Sequence, residues 1–409
     1  MRATVVSAVA PDMGVARWNA LKAHLGRAAW PIVLVLLLGM MAWAAAHHAV
    51  GWDFVVFYRT AERFLKGEEL YRLSDSGLEY KYLPAAAVFL APLHLFSPRA
   101  AYIIFNLLST LAIVRVMQWC AARVGRSREL GTHLAVLAAA SPFALHLFAL
   151  GQCDALLLWC MVESEARAER NPLVSGVLWA VAVLFKPPYL AFLLVALAFR
   201  QRRRVIGLAL GLAGGGLIGT ACFGAAGHLA AIARWRALVA TTTPGLLCKE
   251  DNQSVYGIAC QYLSAPGRWQ FAAAVLALSA AALVASAVAV LRIGSRNAEE
   301  GRFAAVAVVF WLTSFLSPLG WWTTLLCTLP ILYLLVGLVR SEAGIAVRVL
   351  AGALLAALFL SVEGISARLR IDPRLMLAWR NFGLLAVAAV FVALGGMACG
   401  PVRKATLLA

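Results

Sequence analysis

The stretch LAVLAAASPFALHLFALGQCDALLLWCMV, residues 134–162, decides the fold. As one helix it would run to about 43 Å at about 1.5 Å per residue, well beyond a hydrocarbon core of about 30 Å. It is interrupted at Gly151-Gln152-Cys153-Asp154, where a glycine and polar side chains gather. The reading is therefore a hairpin of two membrane helices with a tight tip. The run LVSGVLWAVAVLFKPPYLAFLLVALAF, residues 173–199, repeats the pattern with its break at Lys186-Pro187-Pro188. Two consecutive prolines remove backbone donors there and stop the helix.

Composition agrees with the hairpins. Of 409 residues, 63% are hydrophobic and 13% charged, against about 45–50% and about 25% in a soluble domain. Soluble globular, disordered and disulfide-scaffold classes are excluded, and an all-α polytopic membrane protein remains. The net charge of +17 lies in short clusters between apolar runs, which orient a chain in a bilayer, so nucleic acid is not the expected partner. The eight cysteines form no CxxC pair and no Cys/His array with zinc spacing, so no metal is expected.

The first apolar run, Trp30 to Ala46, follows a tail bearing Arg2, Arg17, Lys22 and Arg27. Ala42-Trp43-Ala44 resembles a signal-peptidase site, but the tail is too long, and the run rather long, for a signal peptide. The tail is then cytoplasmic, as are Arg123 to Arg128, Arg167 with Arg170, Arg200 to Arg204, Arg292 to Arg302, Arg340 with Arg348, and Arg403-Lys404. Asp53, both hairpin tips, the turn Ser317 to Trp322 and the segment Glu363 to Arg380 fall outside. To keep this parity, Tyr82–Phe96, with Pro84 and Pro92, is a partial or re-entrant helix, and Ala100–Cys120 is the full crossing. About twelve crossings result, with both termini cytoplasmic. The expected organisation is a tail over 1–28, one transmembrane domain over 29–399 with outer loops at 47–81 and 224–268, and a C-terminal tail over 400–409.

Charged groups near the membrane need a reason, since a carboxylate at mid-bilayer costs at least about 2.5–3.5 kcal/mol. Asp53 opens the first outer loop. After it, Phe54, Phe57, Tyr58, Ala61 and Leu65 share one helical face, with Arg59, Glu62, Arg63 and Lys66 on the other. This predicts an amphipathic interfacial helix ended by Gly67. Asp53 suits either an N-cap or a functional carboxylate. Lys186 suits either a snorkelling anchor or a phosphate partner, and Asp154 caps the other tip. The most polar outer segment, Cys248 to Cys260, contains the sequon Asn252-Gln253-Ser254. Its two cysteines either pair on an oxidising face or remain small reduced residues; spacing does not choose between these.

The run Asp53-Phe-x-Val-Phe-Tyr … Leu65-x-Gly67 … Leu70-Tyr71 … Tyr80-Lys81-Tyr82-Leu83-Pro84 … Ala91-Pro-Leu93 resembles the first-loop signature of glycosyltransferase family 87. Gly151-Gln152 with a polar residue two positions on, Lys186-Pro187, Asn252-Gln253-Ser254-x-x-Gly257 and Ser317-Pro318 … Trp321 follow in the family's order, covering roughly residues 30 to 340. The family has the GT-C fold and includes polyprenyl-phosphate-mannose-dependent α-mannosyltransferases. The resemblance implies an inverting hexosyl or pentosyl transfer from a polyprenyl-phosphate sugar to an extracytoplasmic glycan or glycolipid, in the cell membrane, with no cofactor. It makes Asp53 the general base and Lys186 a phosphate contact. Lys81, Tyr82, Gln152, Asp154, Asn252, Gln253, Ser254, Trp321 and Trp322 become substrate-binding candidates. Where the family continues to histidine after Ser-Pro and Trp, this chain has Thr323 and Thr324, which takes away an expected donor ligand and leaves the sugar open. Two other classes compete. A transporter or flippase of lipid-linked sugars predicts hydropathy repeats, whereas the polar loops near 53 and 252 are unlike. A non-catalytic scaffold of the same fold is the third.

Overall fold

A computed structural model describes residues 13–75, 78–249, 251–263, 268–294, 298–340, 344–360 and 382–399. Within them all regular structure is helical. The helices are α1 (Met13–His47), α2 (Trp52–Lys66), α3 (Ala87–Leu90), α4 (Pro98–Arg123), α5 (Leu130–Leu150), α6 (Asp154–Arg167), α7 (Pro172–Phe185), α8 (Leu193–Ala198), α9 (Arg202–Thr242), α10 (Val255–Tyr262), α11 (Arg268–Gly294), α12 (Ala298–Leu316), α13 (Leu329–Val339), α14 (Ile345–Leu360) and α15 (Phe382–Cys399). The segment Glu363 to Arg380, Glu250 and the tail 400–409 lie outside the described residues.

Among the described residues six stretches are long and apolar enough to cross a membrane: Gly26–His47, Pro98–Arg123, Leu130–Leu150, Arg202–Leu246, Trp269–Arg292 and Trp322–Val339. The other apolar helices run to 10–17 residues, shorter than the roughly 20 that a free-standing span needs. The protein is thus a multi-pass all-α membrane protein that combines full-length and short helices. Both hairpins form. The tip between α5 and α6 turns at Gly151, and α7 stops at Lys186, beyond which Pro187–Phe192 coils as 3₁₀ turns into α8. Residues 84–95, expected as a partial helix, fold as a chain of short 3₁₀ and α turns.

The helix α1 begins at Met13, inside the stretch expected as a tail, and its apolar span begins at Gly26. The expected outer loop from 224 to 268 begins as helix: α9 bends at Gly224, where φ is 70° and ψ 162°, and continues to Thr242. Alanine and leucine sustain helicity after the bend even though His228, Arg234 and Arg236 lower the apolar character that marks a span.

Polar pairs knit the end of the bundle opposite the hairpin tips. Glu129 ties Arg126 to Arg340, at 2.6 and 2.7 Å, joining the start of α5 to the end of α13. Arg204 is fully buried, ion-paired to Glu165 and stacked over Trp179 at 5.2 Å. Arg302 closes on the same carboxylate at 3.3 Å. A positive-inside count treats Arg204 as a solvated charge; here it is an internal clamp between α6 and α9.

Candidate active site

Gly51 is the N-cap of α2, so Asp53 lies in the first turn and is not the cap. A carboxylate there still gains from the helix dipole. Gly151 at the α5–α6 tip has φ 69°, a conformation glycine adopts without penalty. A Cβ on it would sit 2.6 Å from the Cβ of Phe54. The missing side chain lets α2 dock on the tip, and docking brings Gln152 Nε2 to donate to Asp53 Oδ2 at 2.7 Å. Asp53 forms no salt bridge among the described residues. Burial pushes its carboxyl above the ordinary carboxylate range, opposed by the Gln152 hydrogen bond and the charge of Lys186.

Lys81 and Tyr82 come from the strap between α2 and residue 84. Trp235 of α9 donates to the Lys81 carbonyl at 2.9 Å, and the Tyr71 hydroxyl donates to the Tyr82 carbonyl at 2.8 Å. The Tyr82 ring packs on Phe57 and Phe185, with centroids 5.7 and 5.5 Å away. Arg63 holds the start of the strap through two bonds of 2.7 Å to Asp75. Burial pushes the Lys81 ammonium below the ordinary lysine value, against the pull of Glu79 and Asp53.

Lys186 leaves the end of α7 and donates to Asp154 Oδ1 at 2.5 Å, while Thr323 Oγ1 donates to Asp154 Oδ2 at 2.8 Å. The Asp154 side chain is 1% exposed and that of Lys186 18%. Lys186 thus reaches the site with its charge already balanced.

These groups border a cavity of about 650 Å³, a volume that takes a sugar and part of its carrier. Asp53, Lys81, Tyr82, Gln152, Lys186 and Trp321 line it. The remaining candidates lie behind the wall, and their expected place on it is corrected. Asp154 sits beneath Lys186. Trp322 is buried, its ring 5.4 Å from that of His146. Asn252 is fully buried because it holds two loops together: Nδ2 donates to the Leu247 and Pro318 carbonyls at 2.9 Å, and Oδ1 accepts from Gly320 N at 2.9 Å and Ser254 N at 3.1 Å. The Gln253 amide adds a bond of 2.7 Å to the Gly320 carbonyl, and the Ser254 hydroxyl caps α10. Cys248 and Cys260 are disulfide-bonded, closing this loop on itself.

Sequence reading misses Glu79, His146, Trp235 and Asp251, all of which line the cavity. His146 did leave a signal: it stands four residues before Leu150 and six before Gln152, on the face of α5 that leads to the tip. Among the described residues no three His, Cys, Asp or Glu side chains are grouped to hold a metal ion.

The sequence profile of glycosyltransferase family 87 matches residues 80–318, more than half of the chain, and the chain belongs to that family. No curated protein and no solved structure matches it. Lys81, Tyr82, Gln152, Lys186 and the 252–254 turn fall inside the matched segment, whereas Asp53 precedes it, so the case for Asp53 rests on the cavity.

Proposed function

From membership of glycosyltransferase family 87 as premise, we propose that this membrane glycosyltransferase moves a sugar from a polyprenyl phosphate to an extracytoplasmic glycan or glycolipid, with Asp53 as general base. The observation that carries this reading is a half-buried carboxylate at the wall of the cavity, oriented by Gln152, with two lysines close by and no salt bridge of its own. An acceptor hydroxyl becomes nucleophilic as its proton leaves, and the Asp53 carboxylate accepts that proton. The hydroxyl oxygen bonds to the anomeric carbon while the bond to the phosphate oxygen breaks, and its electron pair leaves on the polyprenyl phosphate. Attack opposite that phosphate inverts the anomeric centre.

Lys81 and Lys186 stabilise the departing phosphate. Lys81 makes no salt bridge among the described residues, whereas Lys186 shares its charge with Asp154, so Lys81 carries the larger part. The lipid tail lies along the apolar wall given by Trp235, Val239 and Leu246.

The test is product analysis with purified protein in liposomes, offered polyprenyl-phosphate sugars and nucleotide sugars with a glycolipid acceptor. Transfer with inversion from the lipid-linked donor is expected. Transfer from nucleotide sugars alone would overturn the donor assignment.

A further inference from the structure

The polar lining of the cavity falls into two poles. The first holds Asp53, Glu79, Lys81, Gln152 and Lys186. The second consists of His146, Asp251 and Trp321. The His146 ring rests against Trp322 and makes no hydrogen bond to any described residue. His146 lies four residues before the end of α5 at Leu150, about 6 Å along the helix axis from it. The second pole is held firmly. Asn252 and Gln253 bind the loop of Asp251 to the turn that ends at Trp321, and the disulfide closes its far side.

We propose that His146, Asp251 and Trp321 form a second saccharide subsite, which binds a neutral, hydroxyl-bearing ring of the acceptor beside the ring whose hydroxyl reacts. A carboxylate accepts from two vicinal hydroxyls, a neutral imidazole donates from one nitrogen and accepts at the other, and an indole face covers the C–H face of a sugar. The substrate that reaches this pole is the one without the phosphate. A phosphate is drawn to Lys81 and Lys186 and repelled by Asp251, and an anionic sugar is repelled likewise. The inference rests on the glycosyltransferase reading but not on the identity of the donor.

The experiment is saturation-transfer NMR on the full-length protein in nanodiscs, with no donor present and with methyl hexopyranosides and methyl glucuronide as probes. Neutral methyl hexosides are expected to bind the wild type about tenfold or more tightly than the glucuronide, a difference of about 1.4 kcal/mol. Asp251→Asn weakens the neutral probe and brings the two within about threefold of each other. His146→Ala weakens the neutral probe, and His146→Gln, which keeps a donor and an acceptor, weakens it less; melting temperatures confirm that each variant is folded. In the transfer assay Asp251→Asn raises the acceptor KM about tenfold and the donor KM less than about threefold. Failure of neutral hexosides to bind, or equal binding of the glucuronide, overturns the subsite. A donor KM that rises in step with the acceptor KM does so too, because the donor sugar would then occupy it. Since the binding arm contains no donor, an error in the donor assignment leaves its result intact.

Discussion

The pair formed by Lys186 and Asp154 decides whether the bottom of the cavity is structural or chemical. Asp154→Asn keeps an acceptor for the Thr323 hydroxyl but removes the charge that Lys186 Nζ contacts at 2.5 Å. Taking one member from a buried ion pair costs about 3–5 kcal/mol, because the other is left as an uncompensated charge. Lys186 is 18% exposed and can turn toward the cavity, so this variant falls near the lower bound, at about 3 kcal/mol. Lys186→Met is the harsher change. It strands a carboxylate that is 1% exposed and keeps only the Thr323 bond, which points to about 4–5 kcal/mol.

The double variant removes both charges, and replacing a buried pair with neutral groups of similar size is close to neutral, within about 2 kcal/mol. The single costs together come to about 7–8 kcal/mol, so the expected coupling is at least about 5 kcal/mol. Equilibrium unfolding of the four proteins in mixed micelles, followed by far-ultraviolet circular dichroism, measures it. Additivity to within about 0.5 kcal/mol refutes the pairing as an energetic unit. Activity supplies the second half of the test. If Lys186 also steadies the leaving phosphate, the double variant stays folded and loses more than about tenfold in kcat/KM, or about 1.4 kcal/mol. A stable double variant with full activity would show that Lys186 only ties α7 to α6.

Asp53→Asn preserves shape and removes the basic site, so transfer should fall about 100-fold or more at unchanged expression; near-normal turnover would remove Asp53 from the mechanism. Because burial raises the Asp53 pKa and only the ionised form accepts a proton, kcat/KM should fall as pH drops through a midpoint above the ordinary carboxylate range, and that limb should be missing from the Asn variant. Replacing Cys248 and Cys260 with serine should lower stability by about 2–3 kcal/mol, as expected for so short a loop; mass spectrometry that finds two free thiols in protein taken from its membrane refutes the bond. Cysteine-accessibility labelling should place Ser74 and Ser317 on the face of the cavity and Ser127 and Gln201 on the other, and labelling of position 201 from the cavity face would overturn the topology.

Much of the bundle was legible because bilayer physics is strict about length. A largely apolar run of 29 residues from 134 to 162 cannot stay straight across a hydrocarbon core, so the cluster Gly151 to Asp154 had to be a turn. The amphipathic spacing after Asp53 specified α2 and its end at Gly67, and Pro84 and Pro92 denied residues 82–96 a regular span. Other features depend on partners distant in sequence. Nothing local tells a tip carboxylate that a lysine 32 residues on will neutralise it, or that Asn252 will bridge to a turn 66 residues away. Asn252 is a lock and not part of the lining, and a buried amide with four backbone partners looks the same in sequence as one facing a ligand. His146 left only a faint signal, because a single histidine in a leucine-rich run shares its face of α5 with Leu150 four residues on and with no other chemistry-bearing residue.

Comparing the buried carboxylates separates architecture from chemistry. Glu165 meets two arginines, Arg204 and Arg302. Asp154 meets one lysine and one hydroxyl. Asp53 meets a neutral amide and nothing charged within salt-bridge distance. A charge buried for stability needs full compensation, since an unpaired ion costs several kcal/mol. Glu165 and Asp154 have it and hold helices together. Asp53 does not, and the fold spends Gly51, Gly151 and the packing of Phe54 on keeping that carboxylate against Gln152 at the cavity wall. That deficit is what the proposed role of Asp53 as base requires, because a carboxylate fully satisfied by cations has little affinity left for an incoming proton.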